Sequence, residues 1–127
     1  MAGKKTILDG IIFDSLFECD IYKLLKENNI NIKSTHPEFL LFEDFTYMDI
    51  YNKEHKVRKM KYTGDFLIET QVLNKPLIVE SKHGIITNDY LKRRKLFLMK
   101  YSGQYYFHQI NSIKEAKELI EKLKENK

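Results

Sequence analysis

Two apolar runs in this 127-residue chain are each interrupted by charge: Tyr62-Thr63-Gly64-Asp65-Phe66 and, after a polar interval, Ile78-Val79-Glu80-Ser81-Lys82. Both read as strands. Side chains alternate along a strand, so Glu80 and Lys82 share one face and Ser81 takes the other. A hairpin whose turn centres between Val72 and Leu73 sets Asp65 directly opposite Glu80, with Cβ atoms about 4.5–5.5 Å apart. Two carboxylates at that spacing repel unless a cation lies between them. A divalent metal and the Lys82 ammonium would both serve, and two carboxylates completed by phosphate oxygens and waters form a ligand set that suits Mg²⁺. The arrangement depends on register, because a slip of one residue sends Asp65 to the opposite face. The bland alternative is a solvent-facing hairpin in which Lys82 pairs with Glu80 or Asp65. Against it stand Leu77-Ile78-Val79, which reads as buried on both faces, and Gly64, which permits a close backbone approach.

Further side chains could join that pair. Glu18, Ile21, Tyr22 and Leu25 fall at i, i+3, i+4 and i+7, so Glu18 points along a largely apolar helical stripe. Ser15-x-x-Glu18 is also a capping box, in which the carboxylate satisfies a backbone donor at the helix start. The two roles are compatible if the helix begins beside the metal. Between Asn88 and Tyr101, the residues Tyr90, Leu91, Phe97, Leu98 and Tyr101 gather on one helical face while Lys92 and Lys95 fall opposite. Lys92, Arg93 and Lys95 are therefore candidates for contact with a nucleic-acid backbone just after the charged strand, and a solvated helix face is the alternative. His36, His55, His83 and His108 show no metal-ligand spacing, and no Ser/His/Asp or Cys/His set stands out. His36, before Pro37, reads as a turn residue. No Gly-rich phosphate loop is present, which argues against nucleotide hydrolysis.

These residues need elements to hold them. The sequence predicts a helix from Ser15 to Asn28, one or two strands between Ile30 and Tyr51, and an exposed basic loop or strand end from Lys53 to Lys61. Tyr62–Thr70 and Pro76–Lys82 form the predicted hairpin about a turn at Val72–Lys75. A second helix runs from Thr87 or Asn88 to Tyr101 and is stopped by a left-handed Gly103. A strand over Gln104–Ile110 follows, then a helix opened by the Ser112-x-x-Glu115 capping box and continuing through Leu123. One domain is expected at this length. Lys and Arg outnumber Asp and Glu by 22 to 18, a net charge of +4 that leans toward an anionic partner. The single cysteine, Cys19, excludes an intramolecular disulfide framework and reads as a buried apolar residue. No stretch approaches the ~20 apolar residues of a membrane span, so neither a membrane partner nor export is expected and a cytoplasmic location is the default.

In its order of parts, helix Glu18, then Gly64-Asp65, then Glu80-Ser81-Lys82, then a basic helix, the chain resembles the PD-(D/E)xK nuclease superfamily from Gly10 to Lys100. Within it, Phe13-Asp14-Ser15-Leu16-Phe17-Glu18 and Tyr62-Thr63-Gly64-Asp65-Phe66 look like a family of small phage-encoded endonuclease-like proteins. Phage junction-resolving endonucleases and the nuclease subunits of some heteromeric transposases show a similar arrangement. The superfamily's proline before the first aspartate is Gly64 here. The resemblance implies an α/β fold with a restriction-endonuclease-like core, a mixed β-sheet flanked by helices. It implies DNA as substrate and Mg²⁺ as cofactor, with Mn²⁺ as a substitute. Asp65, Glu80 and the Ser81 carbonyl would hold the metal, Lys82 would orient or activate the attacking water, and Glu18 would support a second ion or a water. The Ser81 side chain would be replaceable. A homodimer is expected because cutting two strands usually needs two active sites, and a larger phage or transposition complex in the host cytoplasm follows from the likeness. Two alternatives stay open: a DNA-binding or assembly subunit that keeps the nuclease scaffold without catalysis, and a structure-specific junction resolvase.

Overall fold

The computed structural model describes residues 5–124. Asp9 and Gly10 lie at φ +53° and +75°, joining β1 (Thr6–Leu8) to β2 (Ile11–Phe13) in a two-residue hairpin. An Asp-Gly pair suits such a turn because both central residues need positive φ. This hairpin precedes the first element expected from the sequence. Helix α1 (Leu16–Glu27) then begins at the expected cap. The Ser15 hydroxyl accepts the Glu18 N–H at 3.1 Å, and Glu18 Oε1 accepts the Asp14 N–H at 2.9 Å. After it come β3 (Ile32–Thr35), β4 (Glu38–Phe42), β5 (Phe45–Met48), β6 (Glu54–Val57), β7 (Met60–Thr63), β8 (Phe66–Ile68) and β9 (Leu77–Ser81). Helix α2 (Asn88–Tyr101), β10 (Tyr106–Ile110) and α3 (Ile113–Lys124) complete the described chain.

The main sheet has the order β10-β9-β8-β3. β10 runs parallel to β9, while β9–β8 and β8–β3 are antiparallel. Helix α2 is thus the crossover that a parallel pair requires. Phe66 faces Val79, Leu67 faces Ile78 and Ile68 faces Leu77, which is the register of a turn centred between Val72 and Leu73. The architecture is mixed α/β. On one face of the sheet, Phe66, Ile68, Leu77 and Val79 pack with Ile21 and Leu25 of α1 and Leu119, Ile120 and Leu123 of α3. On the other, Ile78 packs with Tyr90 and Phe97 of α2 and with Phe39, Leu41 and Tyr62 of the β4–β7 pair. β9 is buried on both sides, as its Leu-Ile-Val run predicts.

Two stretches differ from the sequence reading. The strand expected over Tyr62–Thr70 is broken at Gly64-Asp65, where the chain leaves the β4–β7 ladder for the main sheet. There Gly64 N–H donates to the Pro37 carbonyl at 3.0 Å and Asp65 N–H to the Val79 carbonyl at 3.2 Å. The crossing is tight: a Cβ on Gly64 would lie 3.0 Å from Ile78 Cγ2. The basic stretch Lys53–Lys61 is not a loop throughout; Glu54–Val57 pairs with Phe45–Met48 as an antiparallel ribbon, and Met60 begins β7. Gly103 has no positive φ, and the end of α2 is closed instead by Gln104 and Tyr105 N–H groups donating to the Tyr101 carbonyl. Among the described residues no helix is long and apolar enough to cross a membrane.

Candidate active site

The break at Gly64-Asp65 places a carboxylate just before β8, beside the end of β9, where Glu80 and Ser81 are the last residues of the strand and Lys82 follows it. The start of α1 comes to the same place, and a cleft of about 270 Å³ is lined by Glu18, Asp65, Glu80, Ser81 and Lys82 together with His36. All the residues read from sequence as catalytic or metal-binding therefore meet in one cavity. Glu18, Asp65 and Glu80 are the buried charged residues among those described, with 2%, 8% and 3% of their surface exposed. Buried carboxylates are costly unless each is hydrogen-bonded, paired or neutralised.

Each carboxylate has its partners. Asp65 Oδ2 accepts from both the backbone N–H and the hydroxyl of Ser81, each at 2.7 Å. The Ser81 side chain, expected to be replaceable, is engaged: at the end of β9 its hydroxyl turns onto Asp65. Glu80 Oε1 accepts a short hydrogen bond from the Tyr62 hydroxyl, and its Oε2 lies 3.6 Å from Lys82 Nζ. Glu80 and Lys82 do share a face, as strand alternation requires. Burial, then the charge of Asp65, pushes the Glu80 carboxyl up to about 8 despite the opposing effects of Tyr62 and Lys82. Burial and Asp65 likewise push Glu18 up to about 9. Burial first, and the neighbouring charge of Asp65 second, thus keep protons on Glu18 and Glu80 that ordinary carboxyls would have lost near pH 4.5.

Lys82 is set by aromatic packing as well as by charge. Its Nζ lies 4.2 Å from the centre of the Tyr90 ring, a cation–π distance. Tyr90 is in turn fixed by donating its hydroxyl to Gln109 Oε1 at 2.7 Å, an oxygen that also accepts from Arg94 at 2.7 Å. Gln109 stands beside Glu80 in the parallel β9–β10 ladder. Burial and the Glu80 charge push the Tyr90 hydroxyl upward, as they do that of Tyr62, so both remain hydrogen-bond donors across the neutral range.

His36 is a site residue that the sequence reading treated only as part of a turn. Its backbone sits at φ +53°, its N–H donates to the Asp65 carbonyl at 2.9 Å, and its Nε2 lies 2.8 Å from Glu18 Oε2. A contact that short needs a proton between the two atoms. Asp14, Glu18 and His36 also bring one potential ligand atom each within 4.8 Å of one another. His36-Pro37 marked a turn but gave no indication of what the imidazole would face, because that depends on β3 and α1 meeting.

The basic helix divides in two. Lys92 and Lys95 are exposed on the outer side of α2. Arg93, expected with them as a phosphate contact, is half-buried and already engaged: it donates to Asp89 Oδ2 at 2.9 Å and to the Lys61 carbonyl at 2.6 Å.

A family model described as "Protein of unknown function (DUF1064)" matches residues 1–118, and the chain belongs to that family. No curated protein and no solved structure matches it.

Proposed function

We propose that this member of the DUF1064 family is a Mg²⁺-dependent endodeoxyribonuclease on a restriction-endonuclease-like core. The observation that carries the reading is the convergence of three buried carboxylates, Glu18, Asp65 and Glu80, with Lys82 in one small cleft. An oxygen-only donor set of Asp65, Glu80 and the Ser81 carbonyl fits Mg²⁺ or Mn²⁺ and gives a soft metal no reason to bind. Two of the carboxyls are held protonated by burial and by the charge of Asp65, an unfavourable setting that a divalent cation relieves. Perturbed acids gathered in a cleft with a specific charge partner are what a functional site requires of its acids and bases.

When bound, the ion supplies Lewis acidity to the scissile phosphate and lowers the pKa of a nearby water. The chain's own groups do the positioning. Ser81, through N–H and hydroxyl, holds one oxygen of Asp65 and so turns the other toward the cleft. Tyr62 does the same for Glu80. Lys82, partly exposed and steadied over Tyr90, offers an ammonium where a phosphate oxygen or an attacking water would lie. Glu18 and His36 share a proton at the cleft wall, a source or sink for the proton exchanged as the phosphodiester bond breaks. Lys92 and Lys95 remain the candidates for contact with the DNA backbone further out.

Thermal unfolding tests the metal half of this reading. Mg²⁺ or Mn²⁺ should raise the melting temperature of the wild type and leave Asp65→Asn unmoved, since a ligand stabilises only a state that binds it. A wild type indifferent to both ions would remove the site.

A further inference from the structure

Past Lys82 the chain leaves the sheet through His83, Gly84, Ile85 and Ile86 before α2 begins, and this segment is unlike the polar rim elsewhere on the cleft. The exposed His83 ring is stacked on Phe17 of α1, with centroids 4.9 Å apart and planes inclined by 29°. Its Nδ1 lies 3.4 Å from the Asn111 carbonyl. Ile85 is 87% exposed and lines the same cleft as Asp65, Glu80 and Lys82. Ile86 and Leu16 are exposed as well, at 39% and 57%. Nothing among the described residues covers this aromatic and aliphatic group, although it adjoins a strongly charged cavity.

We propose that His83, backed by Phe17 and flanked by Ile85, is a platform for one unstacked nucleobase of the strand being cut. The substrate class is then single-stranded or locally opened DNA, and intact duplex is a poor substrate. This rests on the reading of the cleft as a phosphodiester-cleaving site. A phosphate held at Lys82 carries its nucleoside one sugar away, and the residues next along the chain from Lys82 are these. Phe17 occupies one face of the imidazole, and the solvent side is the other. A base laid there meets a flat ring on one side and an aliphatic side chain at its edge, the contacts by which proteins hold bases out of a stack. The platform reads no hydrogen-bond pattern, so it selects for an available base and not for a sequence. In continuous duplex the bases are engaged with one another, and opening a step costs free energy that the platform must offset.

The test compares a short single-stranded oligonucleotide with a strand of the same length and charge whose bases are replaced by abasic sites, binding being read by fluorescence anisotropy with Ca²⁺ in place of Mg²⁺. Base–aromatic stacking should make the normal strand bind about tenfold more tightly. His83→Ala and Ile85→Ser, both at exposed positions, should bring the two strands to near equality while leaving abasic-strand affinity as it was. Equal binding of both strands by the wild type would overturn the platform, as would a His83→Ala variant that weakens both strands by the same factor. Cleavage in Mg²⁺ separates this proposal from the one beneath it. Base discrimination without cleavage sinks the nuclease reading alone, whereas cleavage of duplex and single strand at equal rates, unaltered by His83→Ala, sinks the platform alone.

Discussion

Replacing Glu80 by Gln should make the metal-free protein more stable while removing its response to metal. In the fold, burial and Asp65 hold the Glu80 carboxyl at about 8, against 4.5 ordinarily. Between those values the folded chain keeps a proton that the unfolded chain releases, so stability falls as pH rises through this window. Up to pH 7 the loss is ~3 kcal/mol at ~1.4 kcal/mol per pH unit. Lys82, whose side chain is 31% exposed and free to adjust, and partial hydration of the cleft reduce this to about 1.5–2 kcal/mol. Gln keeps an oxygen for the Tyr62 hydroxyl and has no proton to lose. Glu80→Gln should therefore melt about 6–8 °C above the wild type at pH 7 in EDTA, the scale for a domain of this size, and the difference should vanish near pH 4. Mg²⁺ should then raise the wild type and leave the variant where it was. Calorimetry over pH 4–8 with and without Mg²⁺ reads both effects. A variant less stable than wild type at pH 7 in EDTA, or a difference indifferent to pH, would refute the reasoning, because it would mean that an ionised Glu80 is already satisfied by Lys82 and Tyr62.

Three other outcomes follow from the same geometry. Ser81→Ala removes the hydroxyl at 2.7 Å from Asp65 Oδ2 but keeps the backbone N–H; urea denaturation should show a loss of about 1–2 kcal/mol, and cleavage should fall, where an idle side chain would leave both unchanged. Gly64→Ala sets a methyl 3.0 Å from Ile78 Cγ2, an overpacking expected to cost about 1–3 kcal/mol by the same method. Mg²⁺ affinity, measured by calorimetric titration, should strengthen steadily from pH 6 to 9, because Glu18 and Glu80 give up their protons over that range.

Which residues line the cleft was more legible in the sequence than the scaffold that gathers them. Strand alternation joined Glu80 to Lys82, while the register that sets Asp65 opposite Glu80 was conditional on a turn centred between Val72 and Leu73, since a run apolar on both faces does not distinguish one pairing from its neighbour; β8 and β9 adopt that register. Ser15-x-x-Glu18 located the start of α1 for the same local reason: a cap is satisfied within one turn of the chain. The break at Gly64-Asp65 was not legible, since the apolar pattern runs through it and only the competing ladders of β4 and β9 pull the two halves apart. Asp9-Gly10 is a hairpin signal that a pass for long periodic segments overlooks, its strands being three residues each. Tyr62 and Tyr90 read as core, which they are, while their hydroxyls do the work of holding Glu80 and of fixing the ring beneath Lys82. The partners of His36 and Arg93 lay beyond any local reading. The imidazole reaches Glu18 across 18 residues and the guanidinium reaches the Lys61 carbonyl across 32, partners that no local pattern foretells.

The central claim is that the cleft cuts DNA with the help of a divalent ion, and cleavage itself tests it most directly. Supercoiled plasmid, a single-stranded oligonucleotide and a synthetic four-way junction would each be incubated with wild type, Lys82→Ala and Glu80→Gln in Mg²⁺, Mn²⁺ or EDTA. Cutting by the wild type that needs the ion and is lost in both variants is the predicted result. A wild type that binds these DNAs and the ion yet cuts none of them, or cutting that survives loss of Lys82 and Glu80, would contradict the account.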